Sequence, residues 1–341
     1  MSKSLAYGDF GSWCSEIPSL AVCNLFFRRL LKDQRVEVLG FPANASKDGE
    51  QEHVYHELIG MAGVGINPKC AIPRYGHKGS KGNVALIVAC SMMMALGALL
   101  VTRVHKRVAA VGRQEVKVLV VTYWLTLPLQ ILASGSLLEQ GSLAISIITA
   151  ILEALQLSVF WSLLACGIIS TQVVEDGTMA SLLPIWTFWI LCFTTGMVIS
   201  LDTSINFAHI FGYHSDSPGD LSNPALFSVV FVVPIAASVI YALLNIYVSL
   251  VALREWKPLA WTALAGTLWS SSHVINILTS RKLCQVTHQT LDTSFIAALL
   301  QFTSLWAFVQ GWEVSTEESW EDDIFTDPER QKLDFNDSFR D

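Results

Sequence analysis

Apolar and polar positions fall in long blocks along this chain. Residues 82–102 carry no charge and are followed at once by Arg103, His105, Lys106, Arg107 and Arg113. Six further charge-poor segments come after, at residues 118–138, 142–171, 177–201, 221–253, 258–280 and 293–312, broken by one acid, Glu153. Crossing ~30 Å of hydrocarbon takes about 20 residues in a helix, the form that satisfies its own backbone donors and acceptors there. The pattern predicts an all-α, polytopic membrane protein with a bundle of seven transmembrane helices. Pro128, Pro184 and Pro234 lie inside segments and are expected to kink or locally open them.

The remainder divides at both ends. Residues 1–82 form an N-terminal region whose stretch 44–57 is polar and whose approach to the first span is broken by Gly and Pro. No basic-then-apolar-then-small pattern occupies the first 35 residues, so the first span is expected to insert the protein itself. Residues 83–312 are the bundle, and residues 313–341 a disordered acidic tail with eleven acidic and three basic residues.

Composition reinforces the membrane reading, with 52% hydrophobic and 15% charged residues. The net charge of -7 belongs to the tail, whose own balance is -8. Lys and Arg near the spans divide seven to six between the two faces, so the positive-inside rule votes only weakly, for an outside N-terminus and a cytosolic tail. Cysteines decide more. That orientation puts Cys14, Cys23, Cys70 and Cys284 on the oxidising lumenal or extracellular side and leaves Cys90, Cys166 and Cys192 within the spans. Four cysteines allow three pairings, and the expectation is two bridges that staple the N-terminal region to itself and to the loop before the last span. The sequon at Asn44 would be lumenal and usable, whereas the one at Asn336 would be cytosolic and silent.

Within the spans the ionisable groups are Glu153 and His273, accompanied by Gln130, Gln156, Asn245, Asn276 and Gln301. Ionisable groups at that depth are costly and point to function by default, while hydrogen bonds between helices are the structural use of the same residues. Glu153 and Gln156 share a helix face, giving a carboxylate and amide patch aimed at the bundle interior. Gly97, Ala98, Gly135, Ser136, Gly167, Gly196 and the serines at 270–272 could serve close helix approach, within the bundle or to a partner's span. His53 and His56 have helical ligand spacing but sit in a polar loop without a nearby cysteine, so no metal site is expected. No cofactor and no nucleic-acid partner are expected either.

Several activities fail simple tests. The last span has no Lys for a retinal Schiff base, and one His with Glu153 is too little for an intramembrane hydrolase. The run Gly76-His77-Lys78-Gly79-Ser80 lacks phosphate-loop spacing. A seven-helix receptor or an ion- or proton-coupled transporter using Glu153 and His273 is the rival reading, although neither Asp-Arg-Tyr nor Asn-Pro-x-x-Tyr occurs. In the tail, Glu321-Asp322-Asp323 and Asp327-Pro328-Glu329 have the form of di-acidic signals read by vesicle-coat cargo adaptors, with Asp327 and Glu329 as the export-signal candidates.

One set of motifs carries more identity than any of these. It comprises Phe10-Gly11-Ser12-Trp13-Cys14 with Pro18 and Cys23, Gly63-Val64-Gly65-Ile66-Asn67-Pro68-Lys69-Cys70, Ala110-Val111-Gly112-Arg113-Gln114-Glu115 and Glu175-Asp176-Gly177-Thr178. In that order around seven spans they resemble the fungal chitin synthase export chaperones. The resemblance implies a non-enzymatic, multi-pass protein of the endoplasmic reticulum membrane that helps a chitin synthase fold and leave, supporting cell-wall chitin synthesis, and that could travel with its client to the plasma membrane. It makes Gly112, Arg113, Glu115, Glu175, Asp176 and Gly177 family-motif loop residues. A chitin synthase, vesicle-coat adaptors and the lipid bilayer are the partners this picture predicts.

Overall fold

The structure is a computed structural model that describes residues 7–32, 39, 65–70, 83–107, 110–133, 138–173, 177–211 and 221–325, with side chains described as far as Thr316. Two short helices come first, α1 (Gly11–Glu16) and α2 (Cys23–Lys32), and seven long ones follow. The long helices are α3 (Val84–Lys106), α4 (Arg113–Ala133), α5 (Leu143–Ser170), α6 (Met179–Ile205), α7 (Pro224–Ala252), α8 (Lys257–Val286) and α9 (Ser294–Phe325). Contacts run in opposite directions along α3 and α4, α5 and α6, and α8 and α9, so these neighbours are antiparallel. Among the described residues the only strand-like pairing is an isolated bridge between Asp9 and Ser222.

Helix starts follow local chemistry. Asn83, Ser142 and Asn223 cap α3, α5 and α7, each side-chain oxygen accepting from a first-turn amide, and Pro224 supplies the preset φ of a first helical position. The C-terminus of α6 closes on Asn206 in the left-handed region, and Asp202 just before it accepts from the amides of Ala208, His209 and Phe211. Pro128 and Pro184 sit inside continuous α-helix. The third expected break is visible in α7, where a π turn at Ser228–Val232 precedes Pro234, and a second π turn occupies Val248–Ala252. A wider turn accommodates a residue that cannot donate to the ladder.

Six of the seven long helices are long and apolar enough to cross a membrane; α8, diluted by Ser270, Ser271, Ser272, His273 and Asn276, is outside that set. Large apolar side chains point outward in stripes, such as Val84, Val88, Met92 and Leu99 on α3 and Leu183, Ile190 and Leu191 on α6. So extensive an apolar surface suits a lipid environment.

Three features depart from the sequence expectations. The N-terminal region is built into the bundle: Phe10, Leu25, Phe26 and Phe27 share one core with Leu157 of α5, Ile199 of α6 and Leu226 of α7. Its apolar residues are too few for a separate core but fill the gap at that end. Cys284 lies in the last turn of α8 and is fully buried, where a connecting loop was expected. The last helix runs past Trp312 to Phe325, with Glu313 and Thr316 still buried, so the bundle reaches beyond the expected start of the tail.

Three of the small residues, Gly97, Gly167 and Gly196, pack within the bundle itself. A Cβ on Gly196 would stand 2.9 Å from the Ala154 Cα, so α5 and α6 meet backbone to backbone there. Gly97 receives the Trp124 ring and Gly167 the Tyr241 ring in the same way. Gly135 and Ser136 lie outside the described residues.

Candidate functional site

Two ends and a middle hold the polar residues singled out above. At the end that carries the N-terminal region, Cys14 is bridged to Cys23 and Cys70 to Cys284, with Cα separations of 5.8 Å and 6.2 Å. The first bridge closes a short loop, and the second ties the segment before α3 to the end of α8. Lys69 pairs with Glu16, and Arg281 approaches the same carboxylate at 3.8 Å. Beneath them Asn83 donates to Asp292 Oδ1 at 2.6 Å and to Ser294 Oγ at 2.9 Å, joining the start of α3 to the start of α9. Asn24 of α2 donates to the Ala133 carbonyl at 2.6 Å and accepts from Gln140, so α2 is clamped to the α4–α5 turn.

At the opposite end the motif loops converge. Gly112 and Gly177 both occupy the left-handed region, with φ of 68° and 67°. Glu115, 1% exposed, accepts from the Gly177 amide at 3.4 Å and from Ser181 Oγ at 3.2 Å. A carboxylate aimed at the first turn of α6 interacts favourably with its unpaired amides. Arg113 reaches the His105 carbonyl at 3.5 Å. Nearby, Arg103 and Arg107 of α3 converge on Glu313 of α9, and Trp312 Nε1 donates to the Val111 carbonyl at 2.8 Å. Two buried acids were not singled out from the sequence, Asp292 and Glu313, which lie just outside the apolar segment 293–312; that flanking position was the available signal.

Between the ends the bundle encloses a cavity of about 200 Å³. Gln130 of α4, Glu153 and Gln156 of α5, His273 of α8 and Gln301 of α9 all line it, so five of the seven intramembrane polar residues meet at one place. The rest of the wall is largely apolar and aromatic, with Tyr123, Phe160, Tyr241 and Trp269 contributing. Glu153 is 5% exposed, and among the described residues its carboxyl has no hydrogen-bond partner. His273 Nε2 is likewise buried and unpaired, its ring edge-on to Trp269. The remaining two polar residues are engaged elsewhere: Asn245 accepts from Thr262 and donates to Tyr241, and Asn276 accepts from Thr293. The bonding between helices expected of Glu153 and Gln156 is therefore absent among the described residues, although both do face the interior. A carboxyl, an imidazole and three amides in an apolar wall can hydrogen-bond or neutralise a polar guest.

Asn44, His53, His56, Glu175, Asp176, Asp327 and Glu329 lie outside the described residues.

Comparison with known proteins gives one consistent result. A family model described as chitin synthase export chaperone matches residues 6–326. A chitin synthase export chaperone of Kluyveromyces lactis is 20% identical over 327 residues, covering 95% of this chain and 96% of its own. One from Eremothecium gossypii is 22% identical over 322 residues, covering 93% and 87%, and one from Chaetomium globosum is 23% identical over 270 residues, covering 78% of each. These names support the export reading and not the receptor or transporter alternative. No solved structure matches. With a family match running nearly from end to end over a helical bundle of the expected kind, this chain belongs to the chitin synthase export chaperone family.

Proposed function

We propose that this protein is a membrane-embedded export chaperone for a chitin synthase, acting at the endoplasmic reticulum without catalysis of its own. The observation that carries the reading is the family match over residues 6–326, reinforced by relatives whose printed names state the same role. A helical bundle with outward apolar stripes fits the task, because a partner met within the bilayer must be engaged through lipid-facing helices.

In this proposal α8 also crosses the membrane, as the sixth of seven spans. It has 30 residues, about 45 Å of helix. Four of its polar groups turn inward: Ser272 and Ser280 are buried, Asn276 bonds Thr293 and His273 lines the cavity. Low hydropathy is no obstacle when neighbours cover the polar side. Seven crossings place the termini on opposite sides, with the two disulfides in the lumen and residues 326–341 in the cytosol. There the tail docks vesicle-coat adaptors through Asp327 and Glu329.

The direct test is to delete the gene and locate the synthase. Retention of the synthase in the endoplasmic reticulum is expected, and normal arrival at the cell surface refutes the function. For the tail, Asp327→Ala with Glu329→Ala should slow vesicle capture of the protein and its client; unchanged capture refutes the adaptor role.

A further inference from the structure

The cavity gathers polar groups that the bundle's own described residues do not pair with one another. Glu153 and His273 sit near the middle of α5 and α8, where an unsatisfied polar group costs several kcal/mol in hydrocarbon. Gln130, Gln156 and Gln301 add donors and acceptors to the same space. A bundle that needed only cohesion would pair these groups with one another, as Asn245 pairs with Tyr241 and Thr262. Here they line a common cavity instead.

The wall of that volume is thin on one side. α8 packs extensively on α9 and touches α7 far less. Gly266 of α8 lines the cavity yet is exposed, and nothing stands within 4 Å of where its Cβ would be. On the facing helix, Ser238 and Ala242 also line the cavity and are only partly buried. The gap between α7 and α8 therefore faces the side of the bundle rather than either end, and in a bilayer that side is lipid.

From this we infer that the cavity is a lateral docking site for a polar side chain, amide or basic, carried at mid-depth by a membrane-spanning helix of the client. The inference rests on the export reading and specifies its contact. A client span with an unpaired donor has the complementary problem, and entry between α7 and α8 solves both: the donor reaches Glu153 while the helix that bears it stays in the bilayer. A carboxyl and amide oxygens select donors, and the volume of about 200 Å³ suits a side chain rather than a whole helix. Depth distinguishes this guest from a lipid headgroup, which favours the membrane interface.

The test uses the full-length protein and its synthase in native membranes, with a photo-crosslinking residue at Ser270, exposed one turn from Gly266, and a control at Val88, exposed on α3. The Ser270 probe is expected to capture a membrane-spanning peptide of the synthase. Yield should fall about tenfold in Glu153→Leu, as loss of a charge-assisted hydrogen bond implies. It should fall similarly in Gly266→Trp, whose Cβ enters open space and whose ring obstructs the opening, and which carries the test if Glu153→Leu misfolds. Changing the donor residue of the captured peptide to Leu should also abolish capture. Capture of lipid alone, or undiminished capture of the synthase in both variants, overturns the assignment. The two readings separate in cells. If deletion strands the synthase but Gly266→Trp and Glu153→Leu export it normally, the cavity assignment fails alone; if deletion leaves export intact, the export reading fails.

Discussion

Arg103 donates to Glu313 at 2.5 Å, joining α3 to α9 across 210 positions of chain. The Glu313 side chain is 4% exposed and that of Arg103 40%, so the pair straddles the boundary between bundle and solvent. Glu313→Ala removes the common partner of Arg103 and Arg107. Because the arginines keep access to water, the expected loss is about 1–2 kcal/mol rather than the larger cost of a fully buried pair. Thermal unfolding of the detergent-purified protein checks it, and Arg103→Glu combined with Glu313→Arg should recover part of the loss. Equal melting of Glu313→Ala and the parent would refute a stabilising role.

The bridges make a connectivity prediction. Peptide mapping without reductant should find Cys14 linked to Cys23 and Cys70 linked to Cys284, with Cys90, Cys166 and Cys192 free. Loss of the long bridge should cost about 2–5 kcal/mol on the chain-entropy account. Cys70→Ser, Cys284→Ser and the double variant should be equally destabilised, since each removes the same bond. A Cys14 to Cys70 linkage would sink the arrangement.

Helix packing at Gly196 allows a sharper contrast. Gly196→Leu forces a side chain against the Ala154 backbone and should destabilise by about 1–3 kcal/mol or more, whereas Gly266→Leu enters open space and should leave melting unchanged. The ratio of folded to aggregated protein on size-exclusion chromatography reports both. Similar behaviour of the two variants would show that α5 and α6 are not in close contact.

Orientation can be read from sugar. With the N-terminal region lumenal, Asn44→Gln should abolish a glycosidase-sensitive mobility shift and Asn336→Gln should leave it intact. The opposite result places the tail in the lumen and removes the adaptor reading with it.

Much of this architecture was legible because hydrophobic block length is a local property. The long helices begin close to the starts of the charge-free segments. The polar intramembrane residues could be named one by one, and Glu153 with Gln156 could be given a shared face. That Gln130, His273 and Gln301 join them was not readable, because it depends on which helices become neighbours and at what rotation. The same limit hid the role of α2. Its ten residues are far too few for a span, and only the hollow left by α5, α6 and α7 turns Leu25, Phe26 and Phe27 into core. Gly97, Gly167 and Gly196 carried the right kind of signal without its direction, since a small residue marks a close approach but not the partner.

The placement of the N-terminal region also sets an order of events. Phe10 donates its amide to the Leu221 carbonyl, and Asn223 donates to Gly8, so this early segment finds its seat only when α7 has been made. The long bridge must wait later still, for Cys284. Until α7 is in place Phe10, Phe26 and Phe27 have no finished surface to cover them, and contacts so distant in sequence form slowly. A protein assigned to guard an unfinished membrane partner thus passes through its own unguarded interval during synthesis, and the helix that ends it, α7, also forms one wall of the cavity.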